Sequence, residues 1–201
     1  MSLPDAQVWQ RSWLYISLRR QQLELRWGGR CRARWTVSTG IAPPCERRGS
    51  GGTPRGWHVV RARIGHGQPS GAVFVGRRLT GEVWTPALSA REPGRDWILT
   101  RILWLSGLER GRNRLGQVDT MRRFIYIHGC PDDAPMGIPA SHGCIRMRNT
   151  DVIELFESVR CGVPVWIGES EPDRPPPGRM ASAAVSTTAE AAREATKETV
   201  A

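Results

Sequence analysis

Ile125-Tyr126-Ile127-His128-Gly129-Cys130 is followed, after a loop, by Ser141-His142-Gly143-Cys144-Ile145-Arg146-Met147. The first run is rich in β-branched and aromatic residues and reads as a strand that delivers His128 to the loop. Thirteen residues further on, the Ser-His-Gly-Cys run leads towards a helix. Two histidine-cysteine pairs are thus carried by separate elements.

Outward from this stretch the chain alternates strands and turns. Residues 150–160 carry Val152, Ile153, Leu155, Phe156 and Val159, which fit one face of a helix. Asn149 or Thr150 is positioned to cap its start and Gly162 to stop it. Residues 163–167 return as a strand. Upstream, 13–18 and 23–27 read as two strands joined by a polar turn, and Gly28-Gly29-Arg30 turns the chain into a third at 31–39. Residues 40–55 form a loop with Pro43-Pro44, Gly51-Gly52 and Pro54. Further strands are expected at 57–64, 72–75, 97–105 and 124–128. This spacing predicts a mainly β sandwich or barrel-like sheet with one buried helix after Cys144. After Gly168 the composition changes. Residues 169–178 hold four prolines, and 180–201 are mostly Ala, Thr, Ser and Glu without aromatics. We expect one domain over 12–168 and a disordered Pro/Ala/Thr-rich tail over 169–201, with too little apolar surface to offset ordering.

Composition fits a globular domain: 201 residues, 39% hydrophobic and 24% charged. The longest apolar runs are strand-sized, so no transmembrane segment is expected. The net charge of +10 favours anionic partners. Of 29 basic residues only Lys197 is a lysine. No helix-turn-helix, zinc-finger or RNP-like motif accompanies the charge, so nucleic acid is not an expected partner. Five cysteines (31, 45, 130, 144 and 161), odd in number and irregular in spacing, do not describe a disulfide framework.

A cysteine beside histidines supports three readings. The first is a nucleophile, because a thiolate attacks and an imidazole of near-neutral pKa can take the thiol proton. His142 is adjacent in sequence but need not face the sulfur, whereas His128 approaches from another strand. Gly143 lets backbone come close to a substrate, and amides near Gly143 and Cys144 would form an oxyanion hole contributing roughly 3–4 kcal/mol per donor. The second reading is a tight turn with a packed cysteine. The third is a closed zinc site, since His128-x-Cys130 and His142-x-Cys144 supply four N/S ligands, though at a spacing unusual for zinc. Other marked residues are read as structural. His58 belongs to a strand, His66 to an exposed Gly65-His66-Gly67 loop, and the nine tryptophans to core packing, with Trp84 and Trp104 able to flank a groove.

The region resembles the L,D-transpeptidase catalytic domain (the YkuD family). That family has a His-Gly segment followed by a Ser/Thr-His-Gly-Cys signature, here His128-Gly129 and Ser141-His142-Gly143-Cys144. Ser38-Thr39-Gly40, Thr53-Pro54-x-Gly56, Ile98-Leu99-Thr100 and the helix after the signature extend the resemblance over roughly 12–168. It implies a YkuD-like β-sandwich with Cys144 as nucleophile and His128 as base, oriented by the carbonyl of Gly129. His142, Gly143 and Ser141 would line the site and its oxyanion hole, and Arg146 would meet a substrate carboxylate. Cys130 departs from the threonine many members carry, and Arg146 from the asparagine of one branch.

The implied activity is transfer of an acyl group from a peptidoglycan tetrapeptide stem, through a Cys144 thioester, to an amine or to water. No cofactor is expected. The alternative is a zinc-stabilised or non-catalytic cell-envelope binding module. The resemblance implies action at the cell envelope, whereas the first residues, Met1-Ser2-Leu3-Pro4-Asp5, lack the features of a secretory signal and favour the cytoplasm.

Overall fold

Apolar alternation on both faces makes the opening hairpin a buried one. Strands β1 (Ser12–Ser17) and β2 (Gln22–Trp27) pair antiparallel, and β3 (Arg30–Thr36) continues the meander. Leu14 and Ile16 of β1 enter the main core, while Trp13 and Tyr15 pack with Trp57 behind the sheet. The remaining strands are β4 (Gly56–Ile64), β5 (Ala72–Val75), β6 (Arg78–Val83), β7 (Ile98–Gly107), β8 (Tyr126–Gly129), β9 (Ile145–Met147) and β10 (Pro164–Gly168). Helices are α1 (Pro86–Arg91) and α2 (Asn149–Ser158). The computed structural model describes residues 12–173.

The strands form one mixed sheet in the order β3-β2-β1-β10-β4-β7, with β5-β6 on one edge of β7 and β8-β9 on the other. Parallel pairing occurs at β1·β10 and β8·β9. Ser38 then bridges Arg146 through two backbone hydrogen bonds of 3.0 and 2.8 Å. The end of the meander is thereby joined to β9, and the sheet curls back on itself. Its inner face supplies Leu14, Val60, Leu103, Ile127, Ile145 and Val165 to one cluster with Val152, Leu155 and Phe156 of α2.

The expected mainly β architecture with a helix after Cys144 is present. Three elements differ in detail. β6, α1 and β9 were not read from the sequence: β6 is almost wholly exposed, and β9 has only three residues. The helix ends at Ser158, before Gly162, and its N-cap is Arg148 without a side-chain cap. Asn149 is instead the first helical residue, and its side chain serves the site described below. Of the tail, Glu171 pairs with Arg26 at 2.7 Å, so the described chain continues past 168 in contact with β2. Residues 174–201, read as disordered, lie outside the described residues.

Candidate active site

Side chains alternate across a strand. In the parallel pair β8·β9, Ile127 and Ile145 register with each other and point into the α2 core. Their neighbours therefore take the opposite face. His128 registers with Arg146 on one side and with Ile102 of β7 on the other. Ile102 and Tyr126 belong to a second apolar cluster, and Cys144, one residue before β9, packs against it. The imidazole and the thiol thus lie on the same face of the sheet, one strand apart.

His128 is almost wholly buried and its Nδ1 lies 2.8 Å from the carbonyl of Gly129. A carbonyl only accepts, so Nδ1 carries the hydrogen and Nε2 keeps its lone pair. The partner is held by close packing. A Cβ at Gly129 would lie 2.5 Å from Asn149 Oδ1 and 2.8 Å from the Leu99 carbonyl. Asn149 donates to the Cys130 carbonyl (3.0 Å) and to Asp132 Oδ1 (3.2 Å), and accepts from Thr100 Oγ1. Thr100 sits at a register shift of β7 with φ +69, an outlying conformation for a β-branched residue. Its hydroxyl also accepts from the Gly71 amide at 2.9 Å. The start of α2 and the bulge of β7 together lock the His128-Gly129-Cys130 segment.

The Cys144 loop is held from the other side. Gly143 has φ +115, a conformation that excludes a Cβ, and packs against Gly40, whose own Cβ would meet Gly143 Cα at 3.2 Å. Thr53 Oγ1 donates to the Gly143 carbonyl (3.0 Å) and accepts from the Gly40 amide (2.8 Å). Buried Ser141 donates from its hydroxyl to the Cys144 carbonyl (2.6 Å) and accepts from the Gly143 amide (3.1 Å). Gly143 N–H is therefore already engaged within the loop. The Cys144 sulfur accepts from the Tyr126 amide and donates to the Phe124 carbonyl, both at 3.4 Å.

Burial dominates the electrostatics. It lowers His128 to about 4, against smaller contributions from the Gly129 hydrogen bond and Asp96 that favour the charged form. It raises Cys144 to about 12, opposed by the Tyr126 hydrogen bond and by Arg146 and Arg123. Cys144 keeps part of its surface open, which works against that penalty; burial still favours a neutral thiol and a neutral imidazole at rest.

The other expected residues are placed as follows. Arg146 pairs with Asp96 (2.8 Å) and donates to the Ala140 carbonyl (3.0 Å), so a substrate carboxylate at Arg146 would have to displace Asp96. His142 is exposed, with Nδ1 3.9 Å from Asp96. Cys130 is buried, directs its sulfur to the Met147 carbonyl (3.3 Å), and is pushed up to about 11 by burial. Among the described residues, no three His, Cys, Asp or Glu side chains form a set able to hold a metal ion. The two His-x-Cys pairs therefore do not converge as the zinc reading required. His58 is buried between the Gly56 carbonyl and Thr120 Oγ1. Trp104 packs beside Tyr126 and Phe124, whereas Trp84 joins a separate cluster with Val73 and Leu99, so the two do not flank one groove.

Sequence reading missed Asp96, Asn149 and Arg123. Asn149 gave only a helix-start signal, and Asp96 is 50 residues from its partner, with no local motif. Arg123 donates to the carbonyls of Cys45 (2.8 Å) and Gly52 (2.6 Å), tying down the loop behind Gly143.

A family model described as the L,D-transpeptidase catalytic domain matches residues 11–167. Similar solved structures include an L,D-transpeptidase from Mycobacterium smegmatis, at 14% identity and TM-score 0.49, covering 78% of this chain and 58% of that one. Another, from Xylanimonas cellulosilytica, has 21% identity and TM-score 0.45, with 78% and 59% covered. L,D-transpeptidase 3 from Mycobacterium tuberculosis, bearing a faropenem-derived adduct, has 16% identity and TM-score 0.49, with 79% and 60% covered. The chain spans about three-fifths of the length of each of these. No curated protein sequence matches it.

Proposed function

The chain belongs to the L,D-transpeptidase catalytic domain family, and from that premise we propose that it transfers acyl groups of peptidoglycan stem peptides through Cys144. The observation that carries this reading is the placement of His128 and Cys144 on one sheet face, with Nδ1 fixed on Gly129 and Nε2 left as the base.

Burial opposes forming either charge alone. If the proton moves from Sγ to Nε2 as the sulfur attacks, imidazolium and developing negative charge arise together and offset one another. The sulfur bonds to the carbonyl carbon of the third residue of a tetrapeptide stem. With Gly143 N–H engaged by Ser141, the Cys144 amide is the loop donor left for the oxyanion. Collapse breaks the C–N bond, the imidazolium returns its proton to the departing D-alanine amine, and a thioester remains. An amine of a second stem then attacks, His128 takes its proton, and the thiol is regenerated with a 3→3 cross-link. Water in place of the amine gives the carboxypeptidase product. We place this chemistry at the cell envelope, where the polymer lies. Among the described residues, no helix is long and apolar enough to cross a membrane.

Incubation with a tetrapeptide stem tests the reading. Mass spectrometry of the products should find released D-alanine together with cross-linked dimer or tripeptide. Cys144→Ala and His128→Gln should both lack these products while remaining folded. Product formation by Cys144→Ala would overturn it.

A further inference from the structure

On the face that carries Cys144, a cavity of about 650 Å³ reaches Phe124, whose carbonyl touches the thiol. Its floor is β4 and β7. Val60 and Leu105 of these strands enter the α2 core, and their chain neighbours turn outward, Val59 registering with Ser106. Phe124 joins cavity and active site. Its carbonyl accepts from the Cys144 sulfur, and its ring lines the cavity beside Trp104, with ring centroids 6.4 Å apart.

The charge on the wall is one-sided. Arg48, Arg61, Arg114 and Arg122 line it, and none is in an ion pair among the described residues. The carboxylate in the wall, Asp119, is committed to the backbone amides of Leu115 (2.8 Å) and Arg122 (3.0 Å). Elsewhere the chain does pair its arginines: buried Glu24 takes Arg20, Arg26 and Arg34. Like charges around one concavity repel, and they raise the local concentration of anions.

We propose that this cavity is a subsite for free carboxylates of the stem peptide whose acyl group reaches Cys144, so that stems with ionised carboxylates are preferred over the same stems carrying carboxamides. The inference rests on the function proposed above and adds a specificity to it. Guanidinium matches carboxylate by paired N–H donors. The apolar floor of Trp104, Leu108 and Phe124 suits the methyl and methylene groups that separate carboxylates along a peptide. A phosphate chain offers the same charge but no such groups. Arg146, already held by Asp96, is less available for this task.

The test compares two synthetic tetrapeptide stems that differ only in whether their non-reacting carboxylates are free or amidated. Binding to Cys144→Ala is measured by calorimetry and acylation of the unaltered chain by intact mass. The free-acid stem should bind roughly 5- to 20-fold more tightly, an effect weakened by salt. In the Cys144→Ala background, Arg61→Gln with Arg114→Gln should remove that preference while leaving affinity for the amidated stem unchanged. Equal binding of both stems would overturn the inference and leave the proposed function standing if acylation proceeds. A binding preference without acylation would support the subsite and sink the proposed function. Linear polyphosphate binding that depends on Arg61 and Arg114, with no discrimination between stems, would also overturn the inference in favour of a phosphate ligand.

Discussion

His128 and Cys144 illustrate how burial sets reactivity at the scale of single residues. Each is disfavoured as an ion, His128 lying near 4 and Cys144 near 12, because a partly enclosed cleft solvates charge poorly. Acylation by a stem peptide should therefore keep a constant kcat/KM from about pH 5 to pH 8 and fall only as acid approaches 4 and protonates the base. An acid limb centred between 6 and 7 would show instead that the base keeps an ordinary histidine pKa, contradicting its depression by burial. Iodoacetamide should correspondingly alkylate Cys144 slowly at pH 7, as expected of a thiol that is not ionised at rest. These two residues stood out as candidates in the sequence because His-Gly and Ser-His-Gly-Cys are local signatures. Their environment was not, since it depends on Ile102, Tyr126 and the turn of the Gly143 amide towards Ser141, all fixed by tertiary packing.

At the scale of elements, the site is a junction between the start of α2 and the bulge of β7. Asn149 links them, joining Thr100 to the Cys130 carbonyl behind Gly129. Asn149→Ala leaves these buried groups without partners and should lower unfolding free energy by about 2 kcal/mol. Because the same contacts fix the Gly129 carbonyl that orients His128, acylation should also slow about tenfold. Chemical denaturation and an acylation time course check the two effects, and an unchanged rate in a destabilised variant would make Asn149 purely structural. The sequence showed α2 clearly through its apolar spacing, yet assigned Asn149 to capping. The competing use won because Arg148 takes the N-cap place, and Asn149 is turned towards the segment that follows β8. β6 escaped notice because an exposed strand in a two-strand edge lacks the alternation that marks a half-buried one.

For the whole molecule, closure of the sheet through Ser38 and Arg146 brings together motifs far apart in the chain. Gly40, Thr53, Thr100 and Gly143 all carry contacts around the Cys144 and His128 loops. Their order could be read from sequence, but their convergence required the curled sheet. The same burial has a global consequence. His58 and His128 are both held neutral, each pushed from 6.5 to about 4 by desolvation. The unfolded chain binds more protons between those values. Stability from these groups is thus complete above pH 6.5 and is lost as pH falls through 4, by up to about 1.4 kcal/mol per unit for each. Urea unfolding should give a lower midpoint at pH 5 than at pH 7.5, and a midpoint that rises on acidification would contradict this. Glu24, which faces three arginines from a buried position, provides a second check. Glu24→Gln should cost about 2 kcal/mol by the same assay, and no loss would mean that the cluster contributes nothing net.

Intact mass of the protein after brief exposure to a tetrapeptide stem tests the central claim most directly. A covalent species heavier by the stem less D-alanine should form, map to Cys144, and be missing in Cys144→Ala. Stem turnover without such a species, or an adduct that maps to Cys130 or Cys45 instead, would contradict the account.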